Sequence, residues 1–181
     1  MAKDRKIDLV ILGLLFHEDL TGYEIKKKID GSIRFFWKGS FGSIYPALSE
    51  LLRQGQVEKA GEAPAGGRGQ IRYRITASGR ETLKAWLEDS RASNELRYET
   101  MVKLFFGGAA DRKTALKTVG AFEAQVREDL ATLQLYRRNL ENVLQQEDHL
   151  YYYLTVVFGI EVYEAYLSWC EKAAALLAQP R

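Results

Sequence analysis

The chain has 181 residues, enough for one large or two small domains, and its 46% hydrophobic content is ample for a packed core. Charged residues make up 28% with both signs mixed, which excludes a disordered polyelectrolyte, and the formal net charge is only +2. One cysteine, Cys170, excludes an internal disulfide, and no stretch reaches the ~20 apolar residues that span a bilayer, so a soluble protein of a reducing, cytoplasmic compartment is expected.

The charge is unevenly spread. Residues 1–87 hold 15 Lys/Arg against 10 Asp/Glu, whereas residues 88–181 hold 11 against 14. A basic front half and an acidic back half suggest a polyanion that meets only the front. The start, MAKDRKIDLVILGLLF, is only weakly like a signal peptide, because His17-Glu18-Asp19 follows its short apolar run in place of a small-residue cleavage site. Ile7 to Phe16 is apolar nearly all round and predicts a helix buried on several sides. Thr21-Gly22-Tyr23-Glu24 has the form of a capping box and opens a second helix, which carries Lys26, Lys27 and Lys28 and should end near Gly31. Phe35, Phe36 and Trp37 in the connector are expected to plug the core.

A third helix is sharply bounded. Pro46 belongs in a first turn, where its missing N–H is not needed, which puts the start near Ser43. Gly55 is the expected C-terminal cap. Ile44, Leu48, Leu51 and Leu52 recur at helical spacing and face inward, leaving Ser43, Tyr45, Ser49 and Arg53 outside. Val57 to Ala60 and Ile71 to Thr76 read as a small hairpin around the glycine-rich loop Gly61 to Gln70. Ser78-Gly79-Arg80-Glu81 reads as a second capping box, opening a helix with Leu83, Trp86 and Leu87.

After Glu88 a polar connector leads to a helix over Glu95 to Phe106, then to a long helix capped by Asp111 and running to about Gln146. Its seam holds Val119, Phe122, Val126, Leu133, Tyr136, Leu140 and Val143, interrupted at Asp129 with Leu130 beside it. A last helix carries Val156, Ile160, Tyr163, Leu167, Cys170, Ala174 and Leu177 at the same steps. Two heptad seams predict long helices that pack on each other or on a partner chain.

The fold expected is mainly α with a small β-wing: a winged helix-turn-helix domain over 1–90, and a C-terminal α-helical dimerisation domain over 91–181. Such a third helix enters the DNA major groove. Ser40 and Ser43 offer hydroxyls to phosphates or bases, Gly42 a close backbone approach, and Tyr45 a hydroxyl and a ring. Ser49, Arg53 and Lys26 extend that surface. The wing offers Arg68 and Gln70, with Arg72 and Arg74 sharing one strand face. Tyr151, Tyr152 and Phe158 suit either a ligand wall or a helix interface.

Only two histidines accompany the one cysteine, without metal-ligand spacing, and no nucleophile elbow or phosphate loop is found. No catalytic, metal or cofactor site is therefore expected. The alternative to a DNA reader is a protein-interaction scaffold built on the same winged domain and helical dimer.

Gly22-Tyr23-Glu24-Ile25, Ser40-Phe41-Gly42-Ser43-Ile44-Tyr45-Pro46-Ala47-Leu48, Gly55, Gly67-Arg68, Tyr73-Arg74-Ile75-Thr76 and Gly79-Arg80, in that order, resemble the PadR family of transcriptional regulators. Tyr98 to Gly107 resembles the start of the helical domain of the family's longer branch. The resemblance implies a homodimeric repressor on a two-fold operator, responding in some members to small aromatic or hydrophobic effectors. Two departures, Ser49 and Arg68-Gly69-Gln70, lower the positive charge expected at the DNA surface.

Overall fold

The computed structural model describes residues 6–37, 41–62, 71–92, 94, 97–146 and 148–179. It divides into two compact units, Met1–Asn94 and Glu95–Arg181.

In the first unit, α1 (Lys6–Leu15) carries Ile11, Leu12 and Leu15 into the core. The chain then forms β1 (Leu20–Thr21) and α2 (Gly22–Lys28), which continues as a π-helical turn, Ile29–Ile33, through Gly31. The Thr21 capping box is complete: the Glu24 N–H donates to the Thr21 hydroxyl at 3.2 Å, and the Thr21 N–H donates to Glu24 Oε2 at 2.8 Å. Phe35 and Trp37 are half-buried and Phe36 is exposed, so the core plug here is Ile29 with Ile33, not the aromatic triplet.

α3 (Phe41–Arg53) starts before Ser43, so Pro46 lies inside it, beyond the first turn. The pyrrolidine nitrogen cannot bond the Gly42 carbonyl, one turn earlier; Gly42 is exposed, so that carbonyl faces solvent and its loss is tolerated. The helix stops in a Schellman motif. Gly55, at φ +67°, donates to the Leu52 carbonyl at 3.0 Å, and the Gln56 N–H reaches the Leu51 carbonyl at 2.9 Å.

β2 (Val57–Glu62) and β3 (Ile71–Ile75) pair antiparallel, Val57 opposite Ile75 and Lys59 opposite Tyr73. A bulge between Lys59 and Gly61 shifts the register. The sheet has a third strand, because β1 adds to the other edge of β3 with Leu20 opposite Tyr73 and Thr21 opposite Arg72. α4 (Ala77–Glu88) is capped by Thr76, whose hydroxyl accepts from the Gly79 N–H at 3.2 Å; Ser78 is already inside the helix. Leu83 is buried, while Trp86 and Leu87 face solvent.

In the second unit, α5 (Glu99–Phe105) packs on α6 (Arg112–Glu141), and α6 packs along α7 (His149–Ala178). The last two run antiparallel: Arg112 donates to the Gln179 carbonyl at one end, and Tyr153 to Glu141 at the other. Asp111 caps α6 through the Thr114 N–H at 2.7 Å. The seam is Val119, Val126, Leu130 and Leu133 against Val156, Gly159, Ile160 and Cys170. Leu130 takes the place that Asp129 breaks. Gly159 makes room for Leu133, whose Cδ1 would lie 3.1 Å from a Cβ there. Tyr98, Phe122, Tyr166 and Trp169 form an edge-to-face cluster, with the Tyr98 and Tyr166 hydroxyls bonded and burial pushing the Tyr166 phenol far up.

Candidate nucleic-acid interface

α3 is two-faced. Ile44, Leu48 and Leu51 are fully buried, with Ala47 beside them. The opposite side presents Gly42, Tyr45, Pro46, Ser49 and Arg53 to solvent, with Ser43 half-buried at the edge. A helix buried on one stripe and bearing short polar groups and a tyrosine on the other has the shape for a major groove. Arg53 is the only cation on that stripe, and Glu50 engages it: Nε lies 2.8 Å from Oε2, and the resulting pair holds the guanidinium charged. Its side chain remains 72% exposed, so a phosphate can reach it. Ser40, Arg68 and Gln70 lie outside the described residues.

The strand arginines are committed elsewhere. Arg72 donates to the Asp19 carbonyl at 2.7 Å and to Glu24 Oε1 at 2.9 Å. Arg74 forks onto the Asp19 carboxylate, Nη2 at 2.6 Å and Nε at 3.0 Å. The Arg74 hydrogen bond holds the Asp19 carboxyl below its ordinary range, and the Thr21 backbone hydrogen bond does the same for Glu24, with Arg72 adding to it. Both arginines share a face, as strand alternation requires, but they fasten β3 to β1 and to the cap of α2. In the DNA-free chain these pairs occupy both guanidinium groups, although the Arg74 side chain stays 53% exposed. Lys26 is likewise engaged, by Asp30 one turn on, with its side chain 18% exposed. Lys28 pairs with Glu18. Lys27 is exposed with no ion pair among the described residues, on the same outer face of α2 as Tyr23. Of the three lysines it is the exposed one.

The sequence profile of the transcriptional regulator PadR-like family matches residues 11–85, and that of the virulence activator alpha C-terminal domain matches residues 96–178. Residues 11–85 are thus a PadR-like family domain. It is 25% identical over 181 residues to the negative transcriptional regulator PadR of Bacillus subtilis strain 168, covering 96% of this chain and 98% of that one. The structure of B. subtilis PadR in complex with operator DNA superposes at a TM-score of 0.82, with 25% identity, covering 97% of this chain and 99% of that one. The complex of the same protein with p-coumaric acid gives 0.72 and 26%, covering 96% and 99%. The family consists of transcriptional regulators, not enzymes.

The matched stretch 11–85 spans from within α1 to within α4 and holds the capped turn and the sheet, so the candidate surface lies wholly within one domain. Tyr151 and Phe158, at 65% and 61% exposure, share the face of α7 opposite its seam, whereas Tyr152, at 45%, lies one turn before Val156 on the seam side and beside His149. A groove does exist between α5 and α6, lined by Thr100, Lys103, Lys117 and Phe122. Among the described residues no group of His, Cys, Asp and Glu is placed to hold a metal, and no helix is long and apolar enough to cross a membrane. The pairing of Asp19 and Glu24 with arginine escapes a reading of the sequence because Arg72 comes 53 and 48 residues later.

Proposed function

We propose that the chain is a cytoplasmic, homodimeric repressor that reads a two-fold operator with α3 in the major groove and is released by a small aromatic or hydrophobic effector. The observation that carries this reading is the outer stripe of α3, where Gly42, Tyr45, Ser49 and Arg53 are exposed together over a fully buried inner face. The operator complex of its B. subtilis relative supports the ligand as DNA, and that relative's p-coumaric acid complex supports an aromatic effector. Phosphate contacts then come from Lys27, Arg53 and the wing residues Arg68 and Gln70.

The test is fluorescence anisotropy on the duplex upstream of the chain's own gene, across a salt series. Each phosphate contact adds about 0.9 to the log–log salt slope, so few cations predict a shallow one. Tyr45→Ala should weaken binding by about tenfold, roughly 1.4 kcal/mol, without unfolding the protein. Equal affinity for the upstream duplex and a random one at low salt, from a folded protein, refutes operator recognition and leaves the protein-interaction scaffold. Saturable tryptophan quenching by phenolic acids, with loss of the DNA complex, is expected for an effector; a flat response across the panel counts against one.

A further inference from the structure

Gly22, the first residue of α2, is walled in by one side chain. A Cβ built on it would stand 2.8 Å from Cε1, 2.9 Å from Cζ and 3.1 Å from the hydroxyl oxygen of Tyr45. No real Cβ tolerates the first two contacts, so something would have to move.

Gly22 itself is fixed on every side. Thr21 before it is 2% exposed, pairs with Arg72 in the sheet, and exchanges both capping-box hydrogen bonds with Glu24. Glu24 is held in turn by Arg72, and Ile25 is fully buried. Tyr45 is 49% exposed and can swing outward. Its other neighbour, Tyr73, is 9% exposed and faces Leu20 across the sheet, so it cannot yield. The backbone does not need glycine at this position, because Gly22 is not among the positive-φ glycines, Gly55 and Gly61. Helix propensity alone favours alanine. What the position requires is space.

We propose that Gly22 is a positioning residue for operator recognition: it is the seat that sets the ring and hydroxyl of Tyr45 on the DNA face of α3, while itself buried beneath that ring. The inference rests on the reading of Tyr45 as a DNA contact. The chain of placement runs from β3 through Arg72 and Glu24 to the cap of α2, and from Gly22 to the recognition helix. The wing strand and the reading tyrosine are thereby held in one register.

The experiment uses the full-length chain as wild type, Gly22→Ala, Tyr45→Ala and the double variant, titrated against the upstream duplex at several salt concentrations, with a thermal melt of each. Gly22→Ala should weaken binding about tenfold, close to Tyr45→Ala, and the double variant should bind no worse than Tyr45→Ala alone. The salt slope should stay at the wild-type value, because an uncharged tyrosine releases no counterion; general damage to the DNA surface would lower it by about 0.9 per lost phosphate contact. The melting midpoint of Gly22→Ala should stay within a few degrees of wild type, because the atoms it displaces are the far end of a half-exposed side chain. Wild-type binding by Gly22→Ala beside a weakened Tyr45→Ala overturns the seat and leaves the tyrosine's role standing. Wild-type binding by Tyr45→Ala removes that role and the seat with it. Additive losses in the double variant, or a lowered salt slope, also overturn the seat. Should Gly22→Ala fail to fold, the double variant decides: its folding supports the seat, and its failure refutes it.

Discussion

Arg72 and Arg74 illustrate how a side chain's neighbours decide what it does. On sequence they are two cations on one strand face behind a glycine-rich loop. In the structure Arg72 meets Glu24 in the first turn of α2 and Arg74 meets Asp19 just before β1, and each pair is close to neutral as seen by a distant phosphate. Arg72 is the more consequential, since it satisfies a backbone carbonyl as well as Glu24 and its side chain is two-thirds covered. Arg72→Ala is expected to cost about 1 kcal/mol of stability, less than a buried charged hydrogen bond because the pair is partly in water. A urea titration measures this, and the operator salt slope of the same variant should be unchanged; a slope lowered by about one contact would return Arg72 to the phosphates. The pH dependence follows from the same groups. Asp19 and Glu24 titrate below their ordinary 3.8 and 4.5, so the folded state binds fewer protons there than the unfolded chain. Their contribution is complete above the ordinary values and disappears as pH falls from about 4.5 through the depressed ones. Urea midpoints between pH 6 and pH 3 should therefore fall more steeply in wild type than in an Arg72→Ala/Arg74→Ala double variant. Parallel curves would mean the pairs contribute nothing.

Helix ends form a second layer, in which one residue fixes a whole element. Thr76 stitches two helices: its hydroxyl donates to the Gly55 carbonyl at 2.7 Å, just past α3, and accepts from Gly79 at the start of α4. Gly55 sits at φ +67° with open space around its Cα, so Gly55→Ala introduces backbone strain and no clash. The expected loss is about 1 kcal/mol, seen as a lower thermal midpoint, with operator binding retained. Gly79→Ala should be far worse, because its Cβ would run into the Gln56 carbonyl oxygen. No loss in either variant would mean that the Schellman turn and the α4 entry relax freely. Such local chemistry was also what the sequence made legible. The Thr21 box, the Gly55 stop, the Asp111 cap and the heptad seams each depend on residues three to seven apart; all are in place, except that α6 ends at Glu141 and leaves Val143 outside its seam. The outward placement of Tyr45, Ser49 and Arg53 followed from the same helical period, whereas Ser43 lies half-buried at the edge. What was not legible depends on distant chain. β1 is two residues long and exists because β3 offers it an edge. The start of α3 was misplaced because Pro46 tolerates an exposed helix interior, and the fate of Arg72 and Arg74 was set by acids some fifty residues away.

At the scale of the molecule, the C-terminal unit leaves apolar surface that its own chain does not cover. A hairpin of two 30-residue helices has one inner seam, and the far side of α7 carries Leu150, Tyr151, Leu154 and Phe158 at helical spacing, all exposed. An apolar stripe of this kind on a long helix suits a second copy of the same helix packed by two-fold symmetry. The operator reading needs that second copy. Two half-sites one turn apart, roughly 34 Å, are read together only if two α3 helices are tethered, and tethering makes the second contact intramolecular. The pair Leu154→Lys/Phe158→Lys separates these roles. Both side chains already stand in water, at 57% and 61% exposure, so the protomer should keep its helical content and its thermal midpoint within a few degrees. Facing one another across a two-fold axis, the introduced lysines place like charges in an apolar contact, which costs several kcal/mol. Sedimentation at micromolar concentration should then show a monomer, and operator affinity should drop by about 10² or more, towards that of a single half-site. A variant that still sediments as a dimer moves the interface off this face of α7. A monomer that keeps wild-type operator affinity shows that one copy of α3 is enough.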